Sequence, residues 1–248
     1  MSRKILGFYV LCFFHIYVTS KKIRTPSYIK PCSISAPDFE DCCLSHGKEA
    51  LPYIIKGDRR FGIPNMIPLT IPQIDVDAGN NLKILLKNIK VFGLDKTILN
   101  KVKFDTDAKK LMINISIPQL SLRGNYEIDG RILILPIRGN GDLDILAIDG
   151  IYQYNAEYII RKYKGDDYFD LTEKDTLDFD LKNMKIKLNN LFDGDKKLGD
   201  QMNKFLNENW KEVLSEFGPA ISGTVRSIGR SIASAIFKKI PYHELVLD

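Results

Sequence analysis

The feature that most constrains this chain is an apolar stripe near its C-terminus. Leu198, Met202, Phe205, Trp210, Val213, Phe217, Ile221, Val225, Ile228, Ile232, Ile236 and Ile240 recur every three or four residues, with Lys, Glu and Arg on the far side. This is the period of one face of a helix. About 45 residues of helix would reach roughly 65–70 Å at 1.5 Å per residue. A compact domain of this size has a radius of gyration near ~17 Å, so such a helix needs an elongated partner. Within the stripe, "EFGPAISGTVRSIGRSIASAIF" (residues 216–237) carries Pro219, which predicts a bend. Ala220, Ser222, Gly223, Gly229, Ser231, Ala233 and Ser234 leave space where Leu would fill it. Two accounts fit: one narrow core filled by side chains, or a dry slot that takes a long lipophilic guest.

The partner is the segment over residues 82–191, which reads as antiparallel strands with one wet and one apolar face. "LKILLKNIKVFG" alternates imperfectly and predicts a bulge near Asn88. "KFDTDAKKLMINISI" predicts a hairpin turning at Asp107 to Lys109. Leu111, Ile113, Ile115 and Ile117 then face one way, and Met112, Asn114 and Ser116 the other. Turns are expected at Asp129-Gly130 and Asn140-Gly141. A last hairpin is expected where Leu177, Phe179 and Leu181 alternate with charges, followed by Ile186 and Leu188. Upstream, Pro64, Pro68 and Pro72 mark a peripheral strap, because proline removes ladder donors. Before it, a helix should open at Ser35, with Pro37 just inside, and be bent or divided by Pro52.

The first twenty residues stand apart. Arg3 and Lys4 precede the apolar run "ILGFYVLCFFHIYV", and Val18 and Ser20 suit a cleavage site after Ser20. Residues 1–20 therefore read as a secretory signal peptide and residues 21–248 as the mature domain. No later run has about 18 uninterrupted apolar residues, so stable membrane insertion is not expected. Cleavage lowers the formal charge from +5 to +3, since only two basic residues leave. That mixed surface argues against nucleic acid as a partner. Of the four cysteines, Cys32, Cys42 and Cys43 remain. One disulfide is expected in an oxidising compartment. Cys32–Cys42 is the preferred pair, closing a short loop at the start of the first helix, and Cys32–Cys43 is its rival. No C-x-x-C exists and only His46 and His243 survive, so no metal site is expected.

Enzyme chemistry finds little support. There is no G-x-S-x-G, and a triad would depend on His46 or His243. "RGNGD" (residues 138–142) lies between strands and does not open a helix, so it reads as a hairpin turn and not a phosphate loop. Asp142, Asp144 and Asp149 alternate with apolar residues and read as a solvated face. Asn114-Ile115-Ser116 is a glycosylation sequon on the polar face of its strand.

Four stretches carry a resemblance. "PSYIKPCSISAPDFEDC" holds Cys32 and Cys42. "FGIPNMIPLTIPQIDVD" is the strap. "LRGNYEIDGRILILPIRGNGDLDI" is a glycine- and tyrosine-bearing strand pair. "NLFDGDKKLGDQMNKFLNENWKEVL" enters the long helix. Together they resemble the insect takeout and haemolymph juvenile hormone-binding proteins, from about Pro26 to the end. The resemblance implies an α+β, tubular lipid-binding fold, in which a strongly curved antiparallel sheet wraps a long C-terminal helix around an apolar tunnel. It also implies a secreted, extracellular, non-enzymatic carrier of a small hydrophobic ligand such as juvenile hormone, an isoprenoid or a fatty lipid, with no cofactor. Lepidopteran hormone-binding members carry a second disulfide, for which this chain has no cysteine pair, so it sits nearer the takeout branch.

On this reading the lining comes from the stripe and the apolar strand faces. Val213, Phe217, Ile221, Val225 and Ile228 should oppose Ile113, Ile115, Leu146, Ile148, Phe179 and Leu181, with Tyr126, Tyr152 and Tyr154 as candidates to orient the ligand. A second class of function is docking on membranes or lipid aggregates, which asks for a basic or aromatic patch at one tip and is not favoured by a mature charge of only +3. A third is recognition by an unidentified receptor.

Overall fold

The alternating segment folds into one six-stranded antiparallel sheet. The computed structural model describes residues 24–77 and 82–248, so the expected signal peptide lies outside the described residues. In chain order the elements are β1 (Cys32–Ser33), α1 (Phe39–Lys56), β2 (Leu69–Asp77), β3 (Lys83–Phe92), β4 (Ile98–Asp105), β5 (Lys110–Ile132), β6 (Leu135–Tyr163), β7 (Asp166–Leu188), α2 (Lys196–Glu208), α3 (Trp210–Phe237), α4 (Tyr242–Leu245) and β8 (Val246–Leu247). The sheet runs β2-β3-β5-β6-β7, and β4 pairs with the part of β5 that β3 leaves open. β6 alone has 29 residues, about 95 Å of contour at ~3.3 Å per residue. A strand that long must coil to stay within a domain of this size.

The coil has a visible device. Ile117, Gly150 and Leu181 form one cross-strand row, and Leu120, Ala147 and Met184 form the next inward row. In each of the three strands two residues, not one, separate these rows. Inward parity therefore switches on β5, β6 and β7 together, with Asp149 at φ 49° on the switch. Extra residues of this kind bend and twist a sheet.

This switch corrects the expected last hairpin. β7 is one continuous strand from Asp166 to Leu188, and the break between Leu181 and Ile186 is the parity change. The expected turns at Asp129-Gly130 and Asn140-Gly141, and within "RGNGD", are also corrected. Both dipeptides sit mid-strand, and the turn falls at Leu133-Ile134, between the paired Ile132 and Leu135. Gly141 serves a close approach instead: a Cβ there would lie 2.4 Å from the Asn189 carbonyl oxygen. The bulge at Asn88 is present, as a register shift between Lys87 and Lys90. The proline strap ends in edge strand β2, and Pro72 lies between residues paired with Lys87 and Ile89, opposite that bulge.

The single long helix also resolves differently. α2 and α3 are separated at Asn209, whose φ/ψ of −112°/31° leaves the helical region. Its side chain donates to the Phe205 carbonyl at 2.8 Å. Pro219 stays inside α3, which runs 28 residues, or about 42 Å. α1 starts at Phe39 rather than Ser35, and it continues through Pro52.

α3 contacts both β7 and β2, the two ends of the sheet order. The sheet thus curls until its edges meet one helix. Side chains from α2 and α3 satisfy the open edge of β7. Asn207 accepts from the Ile186 N–H at 3.0 Å and donates to its carbonyl at 2.7 Å, and Asn203 does the same to Leu188, both at 2.8 Å. Further along, Ser222 donates to the Leu177 carbonyl at 2.7 Å and Arg226 to that of Asp175 at 2.8 Å. The pitch explains the match: four helical residues rise about 6 Å, close to the ~6.6 Å of two strand residues. An edge strand that would otherwise recruit another chain is closed this way.

At the other end, Cys32 and Cys42 form the disulfide, and Cys43 is free and half-buried. Burial pushes the Cys43 thiol up, with a smaller contribution from Glu40. β1 pairs in parallel with β8, joining the segment before α1 to residues 246–247.

Candidate ligand-binding site

The concave face of the sheet is mostly apolar, with the buried Asp175 as its charged exception, and the core on it is not continuous. One cluster of buried residues gathers Tyr126, Ile128, Leu143, Leu181, Val213 and Phe217 with the strap and α2. A second gathers Phe39, Tyr158, Phe169 and Leu171. Between them stand residues that are only half-buried: Ile113, Ile115, Tyr152, Tyr154 and Phe179. Paired residues share a face, and Ile113 is opposite Tyr154, Ile115 opposite Tyr152, and Tyr152 opposite Phe179. Tyr152 and Phe179 stack with centroids 6.1 Å apart.

The helix shows the same interruption. Val213, Phe217 and Ile236 are buried, yet no residue from Gly218 to Ala235 is. Ile228 and Ile232 pack partly against the first cluster. Ile221 and Val225 are 38% and 44% exposed. At 100° per residue, Leu214, Ile221, Val225 and Ile232 fall in one sector, Ser222 and Arg226 in the sector that meets β7, and Ser227 and Ser234 opposite the apolar one. The apolar sector of α3 is thus left uncovered by side chains over its middle turns.

Leu146 and Ile148 are placed elsewhere. Leu146 is opposite Ser121 and Lys185, and Ile148 opposite Gln119 and Asn183. Ile145 and Ala147, which alternate with them, join the first cluster, so Leu146 and Ile148 stand on the convex face. The run "DILAIDG" is apolar on both faces, and only the switch at Asp149 decides which residues turn inward.

The three tyrosines differ. Tyr126 is buried and donates to the Asn189 carbonyl at 2.7 Å, which occupies its hydroxyl. Tyr154 donates to Asp175 at 2.9 Å. Asp175 has no exposed side-chain surface and is flanked by Arg226 at 3.2 Å and Arg230 at 3.6 Å. Burial, reinforced by Asp175, holds the Tyr154 proton well above the usual phenol range. Tyr152 folds back over Gly150, where a Cβ would lie 2.6 Å from its hydroxyl oxygen. Among the described residues that hydroxyl has no hydrogen-bond partner, and burial pushes its pKa up to about 12. It is a polar group that the concave face leaves available. The Tyr154–Arg226–Arg230 group around the buried Asp175 had no sequence signal, because its members join three elements.

Two surface clefts lie elsewhere. One of about 340 Å³ separates α1 from β4, between Leu51, Pro52, Ile55, Ile67, Ile98 and Leu99. Another of about 510 Å³ lies over β4 to β7 beside Lys103, Met112, Asn155 and Thr176. Neither touches α3. Cys32, Cys42 and His46 approach one another, with His46 Nδ1 3.3 Å from Cys32 Sγ. The disulfide leaves no thiolate there to hold a metal. Asn114 lies on the convex face and accepts from Asn100 at 3.0 Å.

Comparison with known proteins follows this architecture closely. The family model for haemolymph juvenile hormone binding protein (JHBP) matches residues 8–247. The chain belongs to the JHBP family. Takeout 1 of Epiphyas postvittana superposes with a TM-score of 0.80 at 29% identity, over 89% of this chain and 100% of that one. The circadian clock-controlled protein daywake of Drosophila yakuba is 26% identical over 231 residues, covering 88% of this chain and 87% of the relative. Daywake of Drosophila melanogaster is 25% identical over 233 residues, with the same coverage of each chain. The takeout-like α+β fold read from the sequence is the one found, and this JHBP-family chain falls among binding proteins. No described helix is long and apolar enough to cross a membrane.

Proposed function

We propose that this JHBP-family protein is a secreted carrier that holds a small hydrophobic ligand lengthwise between α3 and the concave sheet. One observation carries the reading: the apolar sector around Ile221 and Val225 is uncovered while both ends of α3 are buried. A helix packed only for stability would bury that sector. A guest would gain roughly 25 cal/mol for each Å² of apolar surface removed from water. Ile113, Ile115, Phe179, Leu181, Val213, Phe217, Ile221, Val225 and Ile228 form the proposed lining, and Tyr152 its polar contact. Leu146 and Ile148 are left out of it. The family's name supports a hydrophobic ligand of the juvenile hormone kind, an isoprenoid or fatty lipid. The disulfide supports an oxidising, extracellular setting, cleavage after Ser20 would deliver the chain there, and Asn114 is the proposed glycan acceptor. The test is native mass spectrometry and lipid extraction of protein from a eukaryotic host. A bound lipophilic molecule is expected. A protein that neither carries nor takes up any such molecule would overturn the reading.

A further inference from the structure

We infer that the β5–β6 turn is an insertion tip that docks the protein on anionic lipid surfaces. Ile134, at the outer position of this two-residue turn, is 84% exposed, more than any other large apolar side chain among the described residues. The turn is built at a local cost. Leu133 holds φ 53°, a position where glycine or asparagine is far easier to accommodate. Nothing in the hairpin itself calls for Leu-Ile in place of Asn-Gly. The conformation is also held from outside: the Leu133 N–H donates to Glu216 of α3 at 2.9 Å. Leu133 and Leu135 pack on the first core cluster, and Ile134 alone projects.

The chemistry of the flanks selects the partner. Arg131 is exposed, and its cross-strand neighbour is the exposed Pro136, not a carboxylate. Arg138, further back, is paired with Asp193 at 3.0 Å. The carboxylates nearby are engaged or set back: Glu216 accepts the Leu133 N–H, and Asp129 lies opposite Arg138, behind Arg131. An apolar tip whose foremost charge is Arg131 matches the boundary between acyl chains and anionic headgroups. A protein partner would need roughly 800 Å² from this side, which one isoleucine and one proline cannot supply. A fluid bilayer accepts a single protruding side chain. Docking of this size is weak and reversible, and it would bring the carrier to a lipid surface without anchoring it there.

Vesicle flotation tests this with the full mature chain. Phosphatidylcholine vesicles containing about 30% phosphatidylserine should carry the wild type upward, and pure phosphatidylcholine much less. Ile134→Asn should weaken flotation roughly tenfold, Ile134→Trp should restore or exceed the wild type, and Arg131→Glu should remove the preference for anionic vesicles. Ile134 is exposed, so circular dichroism and lipophilic-probe binding of its variants should match the wild type. Flotation of Ile134→Asn equal to the wild type would overturn the inference, as would a wild type that stays with neither vesicle. Either result leaves the carrier reading intact, because lipid extraction reads that separately.

Discussion

The Asn207 carboxamide receives the Ile186 N–H at 3.0 Å and gives its own N–H to the Ile186 carbonyl at 2.7 Å. A helix side chain here replaces a missing strand. Asn203 repeats the pattern at Leu188, and Ser222 and Arg226 continue it on carbonyls alone. The tube is therefore sealed along β7 by polar bonds at a matched pitch as well as by apolar contact.

Asn207→Ala should leave a backbone donor and acceptor at Ile186 without these partners. Each unsatisfied buried group costs about 1–3 kcal/mol. Asn100→Ala, on the exposed convex face, should cost little. Urea denaturation of the two variants measures the difference, and equal midpoints would remove the sealing role.

Ile221→Glu and Val225→Glu should fold, because both side chains already have solvent access. They should lose binding of lipophilic probes, since a guest would then have to desolvate a charge. Phe217→Glu, in the buried part of the stripe, should fail to fold. Circular dichroism and probe titration separate these outcomes.

Tyr152→Phe removes the hydroxyl and keeps the stack on Phe179. Ligands with an ester or hydroxyl end should bind roughly three- to tenfold more weakly, the worth of about one hydrogen bond. Pure hydrocarbons should bind unchanged. Loss of both classes alike would point to a packing role.

Asp58 gives a pH signature. Arg60, through its side-chain hydrogen bond, is the main cause that holds the Asp58 carboxyl down at about 2, and Tyr28 assists with a 2.9 Å bond. The folded value lies below the unfolded one near ~3.9, so this contribution is fully present above about pH 5. It should fade as pH falls through 4 toward ~2. Asp58→Asn should lower stability at pH 7 and flatten that part of the acid profile in denaturant titrations.

Loss of the Cys32–Cys42 link, with its sequence separation of 10, should cost about 2–3 kcal/mol by the loop-entropy argument. Cys43→Ser should cost much less, and peptide mapping under non-reducing conditions should show Cys43 as the free thiol.

Much of this architecture was legible in local pattern. The period-3.6 stripe located α2 and α3, the period-2 runs located the sheet, the cysteine spacing preferred the observed disulfide, and the prolines marked a peripheral strap, whose end is the edge strand β2. What misled was also local. Asn140-Gly141 has turn chemistry, but its glycine serves the approach of Asn189. The break after Leu181 resembles a turn, but it is a change of parity shared by three strands.

The sequence by itself determined which residues are apolar and at what period, because side-chain direction repeats every 3.6 residues on a helix and every two on a strand. The tertiary structure alone decided which way Leu146, Ile148 and Ala147 turn, because one switch at Asp149 inverts every position beyond it. It also decided that the middle of α3 stays uncovered. Whether an apolar face is filled depends on what the sheet places opposite it, and those residues are brought there by curvature, not by neighbourhood in the chain.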